Sequence, residues 1–504
     1  MNIYKLNGII YIIFHFANKK NITLQLYHKS YTSSFIIMRK EEFTLLPQEA
    51  VFTFCYLGGK LYVSSKTELV SKSQGETSVK IIGFCCDAYG ELDRNEIADY
   101  ILSHSSSNIS TVFNACNRLA GHYVIFFKNN NNEYVWGDAT CSIQINYSIG
   151  KTISIASTDK MVADICGYDY SKKSIDIRNS SVFEEEALPY NWTMYDEVKA
   201  LLPNHYLDIN KKEAIRVHIE KQDINGTAVN DVLDKTYRMV SNIASAFAQE
   251  FTIACPMTSG HDSRVVYSFM KKQTQKIDCY TTFLNGFNDQ TDDIVISKKI
   301  CNDLGQKHTI FKEENAPKEY EEKIQEYCGK YQFKRTMDSA YRFLSVFPNH
   351  AIVDSDILDQ IGKGNNIPSS FVTAYYLSCK LHSKSKYTKM AFKEYLKSCK
   401  KESLDKFSLY AWEMRIGRWA AQTNMLYALG GLPNLNIFNS REIILLWLNI
   451  PNKQRREHII HSYYLKQNAP NLMPYPYNPS EKYSLIRSKW YLYYFATIIR
   501  NIIS

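Results

Sequence analysis

The stretch CPMTSGHDSR, Cys255 to Arg264, stands between an apolar run at 251–257 and a segment with helical patterning near 263–272. A polar loop leading from a strand into a helix presents free backbone N–H groups to an anion. These residues suit that task. Gly260 permits close backbone approach, and the hydroxyls of Thr258, Ser259 and Ser263 can donate hydrogen bonds. Asp262 is the odd member, since a carboxylate beside a phosphate repels it unless it helps to hold a metal or caps the helix. Arg264, next in the chain, could reach a phosphate or a substrate carboxylate. An ordinary N-capping turn is the alternative reading, because Ser, Asp and Gly are common in such turns.

Outward from this loop the pattern alternates. Val229, Val232, Leu233, Thr236, Val240, Ile243, Ala244 and Phe247 recur at helical spacing before it. After it come a strand, IDCYTTF (277–283), a helix near 291–304, and strands at HTIFK (308–312) and HAIVDSD (350–356). Strands alternating with helices predict a parallel, doubly wound α/β sheet, in which ligands bind beyond the carboxyl ends of the strands. Beyond about residue 370 the chain reads as mostly helical.

The first 220 or so residues have a different character. Short β-branched and aromatic runs at 58–65, 79–84, 121–129, 132–138, 142–148 and 151–158 read as strands, with asparagines 129–132 forming a hairpin turn. One helix near 93–104 interrupts them, so layered sheets are expected here. The polar segment 221–231, KQDINGTAVND, marks the change between the halves.

With 504 residues the chain exceeds what one core usually organises, and two domains are the natural expectation. Its 45% apolar and 22% charged content exclude wholesale disorder. The net charge of +9 is dispersed without a basic block, which favours anions such as nucleotides over a nucleic-acid surface. None of the 12 cysteines has C-x-x-C spacing, so they read as small buried hydrophobes of a reducing compartment rather than as zinc ligands. The apolar N-terminus is broken by His15 and Asn18 and reads as a strand rather than a leader, so a cytoplasmic location is expected. The final stretch, SKWYLYYFATIIRNIIS, is too short to span a bilayer. A helix packed on its own domain is the first reading of it, and contact with a membrane surface the second.

TSGHDS resembles the S-G-G-x-D-S pyrophosphate loop of the N-type ATP pyrophosphatases, specifically the asparagine synthetase B family. Ser259 stands where that motif has its first glycine. The segment 286–311 resembles the family's acidic pair opening a helix, followed by Gly-x-x-His and a strand. AIVDSDILDQIGKG (351–364) can be laid on its G-x-G-x-D-E-x-x-x-G, placing Asp356 at the second position, Asp359 at the Asp and Gln360 at the Glu. YAWEMRIGRWAA (410–421) and the Phe438-Asn439-Ser440-Arg441 run are similar to the Arg-x-x-Arg-Trp and Phe-Asn-x-Arg segments of asparagine-synthase-like proteins. From spacing alone, Arg415 and Arg418 share a helix face and could clamp a carboxylate or phosphate, or form surface ion pairs. Lys482 is similar in position to the family's lysine at the departing pyrophosphate, with Lys466 as competitor. In the first half, Gly121 and Asp138 match the family's glutaminase pattern, but position 2 is Asn2 rather than a nucleophilic cysteine.

The resemblance implies an α/β two-domain protein. Residues 1–220 would form a layered αββα, Ntn-hydrolase-like sandwich, a degenerate class II amidotransferase-like domain. Residues 226–504 would form a parallel doubly wound ATP-pyrophosphatase domain (adenine nucleotide α-hydrolase-like) with a helical C-terminal part. It further implies an AMP-forming carbon–nitrogen ligase that uses ATP and Mg²⁺. Thr258, Ser259, Gly260, Asp262, Ser263 and Arg264 would hold the nucleotide, Asp262 and Asp359 the metal, and Lys482, Arg415 and Arg418 would serve the chemistry. The implied partners are a small-molecule or peptide carboxylate and an amine or ammonia donor, with no nucleic acid and no stable membrane insertion. A homodimer is one assembly it allows. A regulatory or scaffold protein, or a related enzyme acting on a nucleobase, are the other classes open to this sequence.

Overall fold

The computed structural model describes residues 2–6, 9–13, 35–38, 51–56, 59–64, 67–150, 153–180, 185–222, 224, 226–284, 286–312, 314–479, 486 and 489–503, with side chains from Thr67 onward. Strands β1 (Asn2–Leu6) and β2 (Ile9–Ile13) pair as an antiparallel hairpin. The remaining strands of the first half are β3 (Phe35–Met38), β4 (Val51–Tyr56), β5 (Gly59–Ser64), β6 (Leu69–Gln74), β7 (Thr77–Asp87), β8 (Leu119–Asn129), β9 (Asn132–Gly137), β10 (Asn146–Ser148), β11 (Ile155–Ala156), β12 (Val198–Ala200), β13 (His205–Asp208) and β14 (Glu213–Arg216). They form two six-stranded sheets, ordered β12–β10–β11–β3–β5–β4 and β14–β13–β9–β8–β7–β6.

The period-two pattern of β7 and β8 decides how these sheets are layered. Ile82, Val124 and Phe126 point to one face and pack with Ile145, Tyr147 and Ile155 of the other sheet. Their neighbours Ile81, Tyr123, Ile125 and Phe127 point the opposite way and pack on helices α1 (Arg94–Ser103) and α2 (Ile109–Ala115). The far side of the first sheet, at Ala156 and Val198, is covered by α3 (Asp159–Cys166) and α4 (Lys172–Ser180). The result is helix, sheet, sheet, helix. Helix α1 begins where Asp93 and Glu96 make a capping box.

Two predicted strands are shorter than their β-branched content suggested. In 142–148 only Asn146–Ser148 is strand, because Asp138 gathers the preceding residues into a loop. Its carboxylate accepts from Thr140 N at 2.9 Å, Ser142 N at 3.2 Å and Ser142 Oγ at 2.5 Å. Among the described residues of 151–158, which are 153–158, only Ile155–Ala156 is strand. Gly121 has φ +118, and a Cβ there would lie 2.4 Å from the Phe84 carbonyl oxygen, so only glycine fits.

The second half contains α5 (Thr227–Glu250), β15 (Ile253–Pro256), α6 (His261–Gln273), β16 (Ile277–Phe283), α7 (Asp292–Asp303), β17 (His308–Lys312), β18 (Ala351–Val353) and β19 (Asn434–Leu435). The five strands are all parallel and ordered β17–β16–β15–β18–β19. Chain order therefore reverses between β15 and β18, which makes their carboxyl ends a topological switch point. Helix α5 buries the predicted apolar stripe except Val232, which is partly exposed.

Side chains from 412–441 join this half to the antiparallel sheets. Arg216 forms a buried ion pair with Glu413 at 2.6 Å, and Trp412 Nε1 donates to the Ala139 carbonyl at 2.7 Å. Asn439 donates to the Gly121 carbonyl at 2.5 Å and to Asp138 at 3.0 Å, while Arg441 Nε donates to Asn204 at 2.9 Å. The Phe-Asn-x-Arg run thus serves as a seam. Each cysteine from Cys85 onward is a free thiol, and most are buried. No helix among the described residues is long and apolar enough to cross a membrane.

Candidate functional site

The loop after β15 is braced from within. Ser263 Oγ accepts from Thr258 N at 3.1 Å and lies 2.9 Å from Thr258 Oγ1, which in turn accepts from Gly260 N at 3.1 Å. Ser259, in the motif's glycine position, donates from both N and Oγ to Asp293 at 2.7 Å. Asp293 belongs to the acidic pair that opens α7, so the departure from glycine is matched by a carboxylate that receives the hydroxyl. Gly260 is the N-cap of α6 with φ −77, ordinary extended backbone rather than a left-handed conformation. No side chain caps that helix, so its first-turn N–H groups remain the natural anion receptor.

Asp262 lies in the first turn of α6 and joins an ionic network with the segment after β18. Lys363 Nζ donates to Asp262 at 2.7 Å and to Asp359 at 2.5 Å. His461, fully buried on the helix Ile459–Asn468, sits with Nε2 2.8 Å from the other Asp262 oxygen. Burial opposes ionisation of Asp262, but the His461 hydrogen bond and the Lys363 ammonium outweigh it and hold the carboxyl below the usual range. Lys363 is likewise held charged against its burial by the two carboxylates. A π-helical turn over Leu358–Gly362 sets Asp359 and Lys363 on the same side of the chain. Two carboxylates facing one cationic centre suit a hard divalent ion as well as an ammonium. Among the described residues, no group of three or more His, Cys, Asp or Glu is arranged to hold a metal.

Asp359 and Asp262, expected to hold a metal, both pair with Lys363. The lysine that joins them was missed, although its i+4 spacing from Asp359 is visible in the sequence. His261 stacks on Tyr477 at 3.7 Å, near His458 and His461. Burial, with the Arg264 guanidinium nearby, pushes its pKa down to about 3, so it is neutral.

The three arginines expected to serve the ligand have protein partners. Arg264 is fully buried and donates to the carbonyls of Ser259 at 2.9 Å, Tyr475 at 3.0 Å and Pro476 at 2.5 Å. It ties the loop to the 472–476 segment. Arg418 is buried and donates to the Trp192 carbonyl at 2.7 Å. Arg415 pairs with Glu186 at 2.9 Å and lies over the Trp419 ring. Both belong to a π-helical run, Ala411–Ala420, and each donates to the 186–192 segment. Lys482 lies outside the described residues; Lys466 is exposed.

Beyond the carboxyl ends of the strands lies a cavity of about 370 Å³. Pro256 of β15, Tyr280 and Thr282 of β16, Asn434 of β19, and Asp354 and Asp356 just after β18 line it, with Arg335, Trp419 and Tyr427 opposite. Its volume falls within the range of small-molecule sites. Burial pushes the Asp354 carboxyl up to about 6, although Asp356 N and the amides of Asn434 and Asn436 donate to it. Asp356 is raised well above the carboxylate range by burial and by its neighbours Asp354 and Asp359. The arrangement thus offers an anion-receiving helix end, a cation between carboxylates, and a pocket with two buried carboxyls of raised proton affinity on one continuous edge.

No family model matches the chain, and no curated protein matches it. Among solved structures, similarity extends to the glutamine phosphoribosylpyrophosphate amidotransferase of B. subtilis complexed with ADP and GMP, at 10% identity over 50% of this chain and 51% of that one, with a TM-score of 0.21. The glutamine-dependent NAD⁺ synthetase of Acinetobacter baumannii in complex with ADP aligns at 10% identity over 37% and 41%, with a TM-score of 0.19. An allosteric regulatory enzyme of purine biosynthesis aligns at 8% identity over 56% and 75%, with a TM-score of 0.24. The chain spans about half the length or less of the first two. At these scores the overlaps identify no family.

Proposed function

We propose that this chain is an ATP-dependent, amide-forming ligase of asparagine synthetase type, with a glutaminase-like domain over 1–220 and a synthetase domain over 226–504. The observation that supports it most is the meeting of loop 258–263, Asp262, Asp359 and Lys363 at the switch point of the parallel sheet. In this reading the N–H groups at the start of α6 and the hydroxyls of Thr258 and Ser263 receive the pyrophosphate end of ATP. The substrate, a carboxylate in the adjoining cavity, attacks the α-phosphate to give an acyl-adenylate and pyrophosphate. Ammonia or a substrate amine then displaces AMP. Magnesium would be held by Asp262 and Asp359 and would neutralise charge on the departing pyrophosphate. Lys363 supplies a further positive charge at the same place. Asp356, as the carboxylate, would take up the proton that the attacking amine gives up, and its raised proton affinity suits it to that task.

Carboxylate-dependent exchange of labelled pyrophosphate into ATP tests this reading. Asp262→Asn should abolish exchange while leaving the melting temperature close to that of the parent. A protein that binds no ATP by calorimetry and exchanges with no carboxylate is not a ligase of this kind.

A further inference from the structure

The helix Trp490–Ile503 carries apolar residues on two faces. One face is occupied: Tyr494 stacks on Tyr376 at 4.7 Å, Trp490 meets Phe371 at 4.6 Å, and Thr497 and Asn501 are buried. The other presents Leu492, Phe495, Ile499 and Ile502 at helical spacing, with Phe495 57%, Ile499 52% and Ile502 63% exposed. Four aligned large side chains left in water on one helix mark a contact surface rather than scattered exposure. Arg500 is the only charged residue of this helix.

The surrounding charge indicates what covers this stripe. The helix packs on Ala374–Lys380, which also packs on Lys386–Ser398. Between residues 371 and 401 the sequence has eight lysines and one acidic residue, Glu394. Lys386, Lys389, Lys393 and Lys397 are exposed and follow one another at three- and four-residue steps, in one row along their helix. The row and the terminal helix flank the same short helix, Ala374–Lys380: Lys389 Nζ lies 5.7 Å from the ring of exposed Tyr375, and exposed Phe371, just before that helix, packs 5.4 Å from Tyr494. An apolar stripe flanked by lysines complements a bilayer with anionic headgroups, which takes the stripe into its boundary and pairs the lysines with phosphates. A second copy placed on the stripe would bring two lysine-rich flanks together without counter-charges.

We propose that this face, the helix Trp490–Ile503 with the lysine row of Lys386–Ser398, rests on the surface of an anionic lipid bilayer without crossing it. Sedimentation of the full-length protein with vesicles provides the test. Binding is expected to vesicles of phosphatidylcholine mixed with phosphatidylserine, to weaken as salt rises, and to be absent on phosphatidylcholine alone. Phe495→Glu combined with Ile499→Glu should abolish it. Replacing Lys386, Lys389 and Lys393 by Gln should lower partitioning about fivefold each, or about a hundredfold together. These lysines lie outside the core, so this variant remains informative even if the helix variant melts early. No binding to the mixed vesicles, or binding that the lysine variant leaves unchanged, overturns the proposal. Lipid-free self-association in the ultracentrifuge that Phe495→Glu abolishes would also overturn it and assign the stripe to a second copy.

Discussion

Replacing Arg264 by leucine separates a structural role from a ligand-binding one. The guanidinium makes three hydrogen bonds of 3.0 Å or less, to the carbonyls of Ser259, Tyr475 and Pro476. A charged donor contributes at least about 1.5 kcal/mol per bond, so together they contribute about 4.5 kcal/mol. Burial of the cation costs several kcal/mol and offsets much of this, as its lowered proton affinity indicates, but the leucine variant leaves three buried carbonyls unpartnered at about 1 kcal/mol or more each. The expected loss is about 3 kcal/mol. At about 2.1 cal/mol/K of unfolding entropy per residue, a 504-residue chain unfolding as one unit loses about 3 °C in Tm. Urea denaturation gives the stability, and titration calorimetry with ATP gives the affinity. An Arg264→Leu variant within about 0.5 kcal/mol of the parent that has nevertheless lost ATP would show that Arg264 serves the ligand and that the bracing argument is wrong.

Other substitutions probe the frame and its protons. Glu413→Ala leaves Arg216 buried without its partner and should cost about 3–5 kcal/mol in urea, whereas replacing both by apolar residues of similar size should recover most of it. Gly121→Ala forces a side chain against the Phe84 carbonyl oxygen at φ +118 and should cost about 3 kcal/mol or more, measured as a shift in urea midpoint. Folded Asp354 keeps its proton up to about pH 6, whereas the unfolded chain releases it near 3.8. Between those values the folded state binds more protons, so stability falls as pH rises through the window. Asp354→Asn should therefore gain on the parent by roughly 3 kcal/mol between pH 3.5 and pH 7, about 2 pH units at 1.36 kcal/mol each; a pH-independent difference would contradict the burial argument.

Much of the second half was legible because its elements obey simple periods. The strands 277–283 and 308–312 match their predicted limits, and the stripe on α5 faces the core as its spacing required. The two-residue strand Asn434–Leu435 was not legible, since so short a run has no period of its own and exists only because β18 is there to pair with it. The loop 142–145 was read as strand because Ile143 and Ile145 alternate with polar residues, yet a single carboxylate, Asp138, offered the backbone a better set of partners.

The site divides in the same way. Thr258 to Ser263, Asp262 and Asp359 could be singled out from local motifs, and so could the direction of the chain through them. Lys363 meets Asp262 across 101 residues, and His461 meets it across 199. No local pattern records such meetings. Arg264 shows the same limit from the other side: its position after the loop suggested a ligand contact, and only the path of residues 472–476 turned it into a brace. The sequence by itself determined the periods, hence which elements form and which faces seek cover. The tertiary structure decided which charge answers which, because that depends on where distant segments cross at the switch point of the sheet.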